Sequence, residues 1–567
     1  MCLDRAIGQA QIDADFLSRK APAGQDCHIP FAWGQGNHGA IIGNVGKGPD
    51  AVPERIARGQ RLTPYPAPEQ IAISPAHDAF VIVAASGAHG PETARADPLE
   101  LGPRRVIIRQ RLIQKVVRGT AKRYREPRVT TPDDPVFQLG QPDGRVDKGY
   151  IAHEPRVPRI STELKRGCVK WFNMAAKEEI TMVNIAGWGH TKFGKLTDQS
   201  LEDLIIAAGQ EALQDAGMSG EDVDGIWVGH FNGGMVSDGF PASLAMGIDP
   251  GLRYKPATRL ENACASGSAA VFAARQAVLA GEARVALVIG VEKMTHLSIP
   301  DVTAALGHAS YQKEEAGLSF PGVFAQFASA YYEKYGDHSA ALAKIAAKNH
   351  GNSVNNPLAQ LQKPMDEAFC ATVSDRNPII AAPLKKTDCS LVSDGAAALV
   401  LVADDMLGVV SKAVRMRAVS QVNDVMAMSQ RDVLAFEGPR RAIHTAYDRA
   451  GITVNDLDVA EVHDCFTIAE LLIYEAMGLA AHGHGAQVLD GGVVHAGGRL
   501  PVNLSGGLKA KGHPVGATGV SMHTLIARQV LGQADAMQNP GAELGLVFNM
   551  GGSGVANYAS ILEPVKG

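Results

Sequence analysis

Four short segments hold the residue types that can do chemistry. In Glu261-Asn262-Ala263-Cys264-Ala265-Ser266-Gly267-Ser268 one cysteine stands at the head of a run of small residues. Should that run open a helix, its unpaired N–H groups and positive dipole end would lower a thiol's pKa and stabilise an oxyanion. Taken alone, a cysteine among alanines is more commonly a small buried hydrophobe. Glu461-Val462-His463-Asp464-Cys465-Phe466 runs into an apolar, helix-patterned stretch over 467–479. That sets His463 and Cys465 on a strand-to-helix loop, where functional loops commonly lie; a loop histidine beside a core cysteine is the other reading. Ser505-Gly506-Gly507-Leu508-Lys509-Ala510-Lys511-Gly512-His513-Pro514-Val515-Gly516-Ala517-Thr518-Gly519 surrounds one histidine with glycines, which implies close backbone approach. Its order matches neither a P-loop nor a dinucleotide fingerprint. Asn549-Met550-Gly551-Gly552-Ser553-Gly554 follows an apolar strand over 544–548 and presents amides at a strand end.

Such groups need a regular scaffold to aim them, and from Met182 onward the pattern supplies one. Spacing predicts a strand over 183–189, a helix over 200–216 with Leu204, Ile205, Ala208 and Leu213 on one side, and a strand over 224–228. Apolar runs of strand length follow at 283–290 and 396–403, with helical stretches between. Strands alternating with helices predict an α/β sheet covered on both faces. Cys264-Ala265-Ser266-Gly267 and Ala274-Arg275-Gln276-Ala277-Val278-Leu279 are echoed by Gly516-Ala517-Thr518-Gly519 and Ala527-Arg528-Gln529-Val530-Leu531, at offsets of 252 and 253 residues. We read the echo as two related α/β halves.

Residues 1–173 differ in texture. They carry a net charge of +7 against −12 for the remainder, and hold 17 of the 31 prolines. Turn signals interrupt them throughout, so they are expected to form a poorly ordered extension, with Met174 or Met182 a candidate start; no function is assigned to them. The overall charge of −5 lacks the basic surplus of a nucleic-acid binder. No apolar run approaches the roughly 20 residues that span a bilayer, so no membrane role is expected. Seven cysteines without a CxxC pair fit free thiols in a reducing cytoplasm. Cys370 and Cys389 are expected to pack, and His482 and His484 to lie in an exposed loop; no metal site is expected.

Together the four segments resemble the thiolase family over about residues 182–563. Asn262-Ala263-Cys264-Ala265-Ser266-Gly267 is similar to its nucleophile block, and Gly512-His513-Pro514 with Gly516-Ala517-Thr518-Gly519 to its histidine block. Most thiolases have Asn-Glu-Ala-Phe where this chain has His463-Asp464-Cys465-Phe466, and Cys-x-Gly where it has Asn549-Met550-Gly551. Both departures, and Lys348-Asn349-His350 followed by Ser353-Val354-Asn355-Asn356-Pro357, resemble the sterol-carrier-protein-type branch.

The resemblance implies a five-layered αβαβα fold of two duplicated halves. The first part of the N-terminal half would span 182–300, a loop domain and the return to that half 301–390, and the C-terminal half 391–567. It implies an acyl-CoA C-acyltransferase that condenses acyl-CoA or thiolyses 3-ketoacyl-CoA, with coenzyme A as substrate or product and no other cofactor. Cys264 would be the nucleophile and His513 its base. Cys465 would handle the alpha proton, a duty that Asn549 cannot perform. His463 and His513 would form one oxyanion hole, and the N–H groups of Cys264 and Gly551 the other. His350, Ser505 and Gly506 would meet substrate. A homodimer is the family expectation. The alternatives are a thiolase-like aldolase acting on side-chain acyl-CoA beside a small OB-fold partner, and a non-catalytic CoA-binding scaffold subunit.

Overall fold

The strand Val285–Glu292 shows in one segment how the sheet is built. All eight residues are buried; Val285, Leu287, Ile289 and Val291 join one apolar cluster, while Ala286 and Val288 join another. A strand covered on both faces has no solvent side, hence the unbroken apolar run. The computed structural model describes residues 182–566 and the two short strands His28–Phe31 and Ile41–Asn44. The chain divides into units 1–152 and 153–567. In the first, the short strands pair antiparallel, His28 opposite Asn44. The rest of the extension over 1–173, and with it the expectation of poor order, lies outside the described residues.

In the second unit the strands are β1 (Val183–His190), β2 (Gly225–Gly229), β3 (Ala257–Leu260), β4 (Val285–Glu292), β5 (Gly395–Ala403), β6 (Val414–Asn423), β7 (Val459–Val462), β8 (Gly545–Gly551) and β9 (Ala556–Pro564). They form one ladder in the order β7-β8-β9-β6-β1-β5-β4-β2-β3. From β1 outward the pairings run antiparallel, antiparallel, parallel, parallel. From β6 outward they run the same way, the last step being a parallel bridge from Ala460 to Val502. This matched order of orientations bears out the duplication. Within the sheet, among the described residues, the halves join at two residue pairs, Val414 with Ile185 and Arg415 with Asn184. The boundary expected at 391 gave β5 to the second half, but its ladders to β1 and β4 keep it in the first.

Helix α1 (Leu201–Ala216) starts on a capping box between Ser200 and Asp203 and ends at Gly217, φ +68°. It covers β1, β4 and β5, whereas α2 (Ser266–Leu279) packs on β2, β4 and β5 beside a later helix from the second half. Between β4 and β5 the long insertion carries α3 (Phe320–Tyr335) and α4 (Ser339–Ser353). In the second half α5 (Glu437–Ala450) covers β6 and β9, and α6 (Thr467–Ala476) packs on α4 and α5. The last, α7 (Val515–Val530), is the partner of α2 and touches strands of both halves, giving the layering αβαβα.

The echoed turns meet in that central layer. A Cβ on Gly267 would lie 2.6 Å from the Gly516 carbonyl, and one on Gly519 would lie 2.3 Å from the Ser268 nitrogen. The two turns therefore dock backbone to backbone. A Gly267→Ala change gains up to about 1 kcal/mol of helix propensity. Overpacking against backbone costs about 1–3 kcal/mol, so net destabilisation is expected. A urea midpoint equal to or above that of the wild type would refute this close docking.

Candidate active site

Cys264 lies in a tight turn between β3 and α2. Ala263 before it is left-handed, φ +51°, a conformation that costs a non-glycine residue about 1–3 kcal/mol and clusters at functional sites. Ser266 Oγ closes the turn, accepting from the Asn262 N–H at 2.9 Å and donating to the Ala263 carbonyl at 2.6 Å. The thiol is half-buried. Burial pushes it up to about 12, and the Glu292 and Glu261 carboxylates add to this, against hydrogen bonds from the N–H groups of Gly552 and of Cys264 itself. The sequence expectation of a thiol lowered by its helix N-terminus is thus overturned, because desolvation outweighs the amides.

His513 enters from the turn before α7. Its N–H donates to Ser393 Oγ at 2.9 Å, and its Nδ1 lies 2.7 Å from Thr518 Oγ1. The Thr518 hydroxyl donates to the Pro514 carbonyl at 3.0 Å, so it accepts from Nδ1–H. Nε2 keeps its lone pair and has no partner among the described residues. Burial, then the Lys511 cation, lowers His513 to about 3, so the imidazole is neutral. His463 meets it edge to face, with ring centroids 5.1 Å apart. Its Nδ1 lies 2.9 Å from Asn549 Nδ2 and its Nε2 is unpartnered among the described residues. Burial, then His513 and Lys511, holds it well below the ordinary histidine value. The Cys264 sulfur and one nitrogen from each imidazole lie within 4.8 Å of one another. That donor set has the chemistry to hold a thiophilic cation, and equally to pass a proton.

Cys264 and His513 line a cleft walled by Met294, Leu306, Phe320 and Phe466, and also lined by Cys465 and Cys389. Burial first, then Cys264 and Asp464, pushes the Cys465 thiol well above the usual thiol range. Its loop is pinned from behind. Asp464 accepts from the N–H groups of Leu508 at 2.7 Å and Lys509 at 3.2 Å. Asn349 Nδ2 donates to Asp464 at 2.8 Å and Glu470 at 2.6 Å, and Lys348 pairs with Glu470 at 2.9 Å. This network is almost wholly buried, which makes each bond costly to lose.

Residues 183–405 match the family model "Thiolase, N-terminal domain", and residues 420–564 match "Thiolase C-terminal domain-like". The chain belongs to the thiolase family. The acetyl-CoA acetyltransferase of Methanothermobacter thermautotrophicus is 38% identical over 376 residues, 66% of this chain and 97% of the relative. Human sterol carrier protein 2 is 36% identical over 391 residues, 65% of this chain and 70% of the relative. These relatives agree with the branch suggested by the two motif departures, and the thiolase is an acyltransferase enzyme. Among solved structures, the Ltp2-ChsH2(DUF35) aldolase matches with a TM-score of 0.57 at 23% identity, over 68% of this chain and 98% of its own. Human mitochondrial 3-ketoacyl-CoA thiolase in complex with CoA matches with a TM-score of 0.53 at 18% identity, over 68% and 99%. At those identities the likeness is one of fold.

Three sequence expectations, His350, Ser505 and Gly506, fall away from this cleft. His350 is 1% exposed and lines neither this cleft nor its neighbour; burial, with Lys509, lowers it to about 3. Its chain neighbour Asn349 is the residue that reaches the active-site loop. Ser505 is buried, its hydroxyl donating to Glu461 at 2.7 Å, and a Cβ on Gly506 would strike Ser353. None of these three residues lines the cleft that Cys264 and His513 line. Gly551 sits against the Asn262 carbonyl and Ala265, while the N–H bonded to the Cys264 sulfur is that of Gly552. Cys389, expected to be packing, lines the cleft. Asp464, Asn349, Thr518 and Gly552 were missed, although Lys348-Asn349-His350 had marked the right helix. No helix among the described residues is long and apolar enough to cross a membrane.

The buried histidines make the fold acid-sensitive. Burial lowers His190, His350 and His513 to about 3, His523 to about 4, and His463 well below 6.5. Unfolded histidines titrate near 6.5, so below that pH the unfolded state binds more protons. Their contribution is full above pH 6.5 and is lost as pH falls toward the folded values. Each adds a slope of up to ~1.4 kcal/mol per pH unit. The urea midpoint should therefore drop steeply between pH 6.5 and 4.5; a flat midpoint there would contradict the burial of neutral imidazoles.

Proposed function

We propose that this thiolase is an acyl-CoA C-acyltransferase working by ping-pong Claisen chemistry through an acyl-enzyme on Cys264. The observation that carries the reading is the convergence, within 4.8 Å, of the Cys264 sulfur and two neutral imidazoles. A cleft lined by Cys264, His513 and Cys465 opens beside them. In the thiolytic direction His513 Nε2 takes the Cys264 proton as the sulfur attacks the 3-oxo carbonyl. The C2–C3 bond then breaks, and the enolate of acetyl-CoA takes a proton from the Cys465 thiol. His513 returns its proton to Cys465, and a CoA thiol attacks the acyl-enzyme to regenerate the Cys264 thiol. Condensation is the same path reversed.

Each developing oxyanion needs donors, and one such donor is typically worth about 3 kcal/mol of barrier. We assign one hole to His463 together with His513 once its Nε2 carries the Cys264 proton, and the other to the N–H groups of Cys264 and Gly551, with the Gly552 N–H steadying the sulfur. The apolar walls of the cleft keep water from the thioester. CoA is a substrate in this scheme, which draws on no metal or prosthetic group. Every residue in it lies between Cys264 and Gly552. A homodimer is the expected assembly, and the outer edge of β3, unpaired among the described residues, is a surface that can pair with a second copy.

The test is direct: the full chain is mixed with acetoacetyl-CoA and CoA, and loss of the enolate absorbance is followed. Turnover to two molecules of acetyl-CoA supports the reading. CoA binding without turnover would leave a scaffold subunit, and cleavage of a hydroxyacyl-CoA in place of a 3-ketoacyl-CoA would leave an aldolase.

A further inference from the structure

We propose that Asn549 is a positioning residue that fixes His463 in the tautomer protonated at Nε2, so that the two active-site histidines present opposite faces to substrate: His463 a donor, His513 an acceptor. This rests on the reading of the site as a thiolase centre and adds a residue to it. Asn549 stands where most thiolases carry a reactive cysteine, and in its place it does a different job.

The argument is one of hydrogen-bond bookkeeping around a buried amide. Asn549 is fully buried and its side chain has three neighbours. Oδ1 accepts from Ser268 Oγ at 2.8 Å, while Nδ2 lies 3.3 Å from the Cys264 carbonyl and 2.9 Å from His463 Nδ1. A carbonyl oxygen only accepts, so the amide cannot be flipped without setting two oxygens face to face at 3.3 Å. The amide edge facing His463 is therefore NH₂, a group that only donates. His463 Nδ1 must accept, and a neutral imidazole accepting at Nδ1 carries its proton on Nε2. That Nε2–H is fully buried and has no hydrogen-bond partner among the described residues, so its donor capacity is left for an oxygen of the bound substrate.

At His513 the polarity is reversed. Thr518 accepts a hydrogen bond from Nδ1–H, which leaves a bare lone pair at Nε2. One imidazole is thus set to stabilise developing negative charge and the other to remove a proton, with no change of tautomer during turnover. The Ser268 hydroxyl that orients the amide projects from α2, the helix that Cys264 precedes, and the Asn549 amide also bonds to the Cys264 carbonyl. Nucleophile and oxyanion donor therefore share one fastening.

The experiment uses Asn549→Asp, which keeps the shape but can only accept, and Asn549→Ala, which removes the restraint. Asp should draw the His463 proton to Nδ1 and leave a lone pair aimed at the oxyanion. The expected result is a fall in kcat of at least ~100-fold with KM for acetoacetyl-CoA changed less than about threefold, and a smaller loss, near ~10-fold, for Ala. The ¹⁵N spectrum of histidine-labelled wild-type enzyme, with the His463 signals assigned by their loss in His463→Gln, should show Nδ1 unprotonated and Nε2 protonated. That spectrum needs no variant of Asn549 and no turnover, so it decides the tautomer even if the Asp variant folds poorly or the enzyme proves not to be a thiolytic one. Nδ1 protonated in the wild type, or full kcat in a folded Asn549→Asp enzyme, would overturn the proposal.

Discussion

Cys264→Ala should lower thiolysis of acetoacetyl-CoA by at least ~10⁴-fold, the scale on which removal of a covalent nucleophile is felt. The change removes one sulfur from a half-buried site, so the thermal midpoint should shift little and CoA should still bind. The resting pair is a thiol pushed up to about 12 beside an imidazole lowered to about 3, which is not an ion pair. The thiolate forms only as the sulfur attacks, with His513 taking the proton in the same event. The partial reaction separates this from a general loss of fit. Wild-type enzyme incubated with acetyl-CoA and no second substrate should gain the mass of one acetyl group after acid quench, and the variant should gain none. Residual turnover within tenfold of wild type, or an acetyl group still found on the variant, would remove Cys264 from the centre of the scheme.

How much of this was legible in the sequence depended on whether the deciding interaction was local. The apolar runs at 283–290 and 396–403 gave β4 and β5, because burial on both faces writes itself into consecutive residues. Strands β6 and β9 were not anticipated: β6 is buried only at alternate positions in its first half, a weaker signal than a continuous run. The assignment of β5 to the wrong half has a similar cause. The sequence shows it after a long insertion, and only its non-local pairing with β1 and β4 shows where it belongs. At the site, Cys264 and His513 stood out because their glycine-rich turns must dock closely, a requirement stated within each segment. Asn349 was hidden behind His350 because one residue along a helix turns the side chain by about 100°, and no local pattern says which face meets Asp464. The thiol's upward shift was illegible for the same reason: a helix start is visible in sequence, but the walls that desolvate it come from distant segments.

Cys465→Ala should split the reaction into its halves. Acetyl transfer from acetyl-CoA to Cys264 needs only the nucleophile, its base and the oxyanion donors, so acetylation should survive within about tenfold. Carbon–carbon chemistry also needs a proton moved at the alpha carbon, and loss of a general acid–base group typically costs 10²–10⁴-fold. Exchange of the acetyl-CoA methyl protons with D₂O should disappear, and thiolysis should fall on that scale. The upward shift suits the base role, because the conjugate thiolate is a stronger base for a weakly acidic alpha proton. Cys389 is the control, since its thiol lines the same cleft but donates to the Lys385 carbonyl at 3.5 Å. Cys389→Ala should leave exchange intact. If exchange persisted in Cys465→Ala and vanished in Cys389→Ala, the alpha proton would belong to the other wall of the cleft; if it persisted in both, His513 would have to serve both carbonyl and alpha carbon.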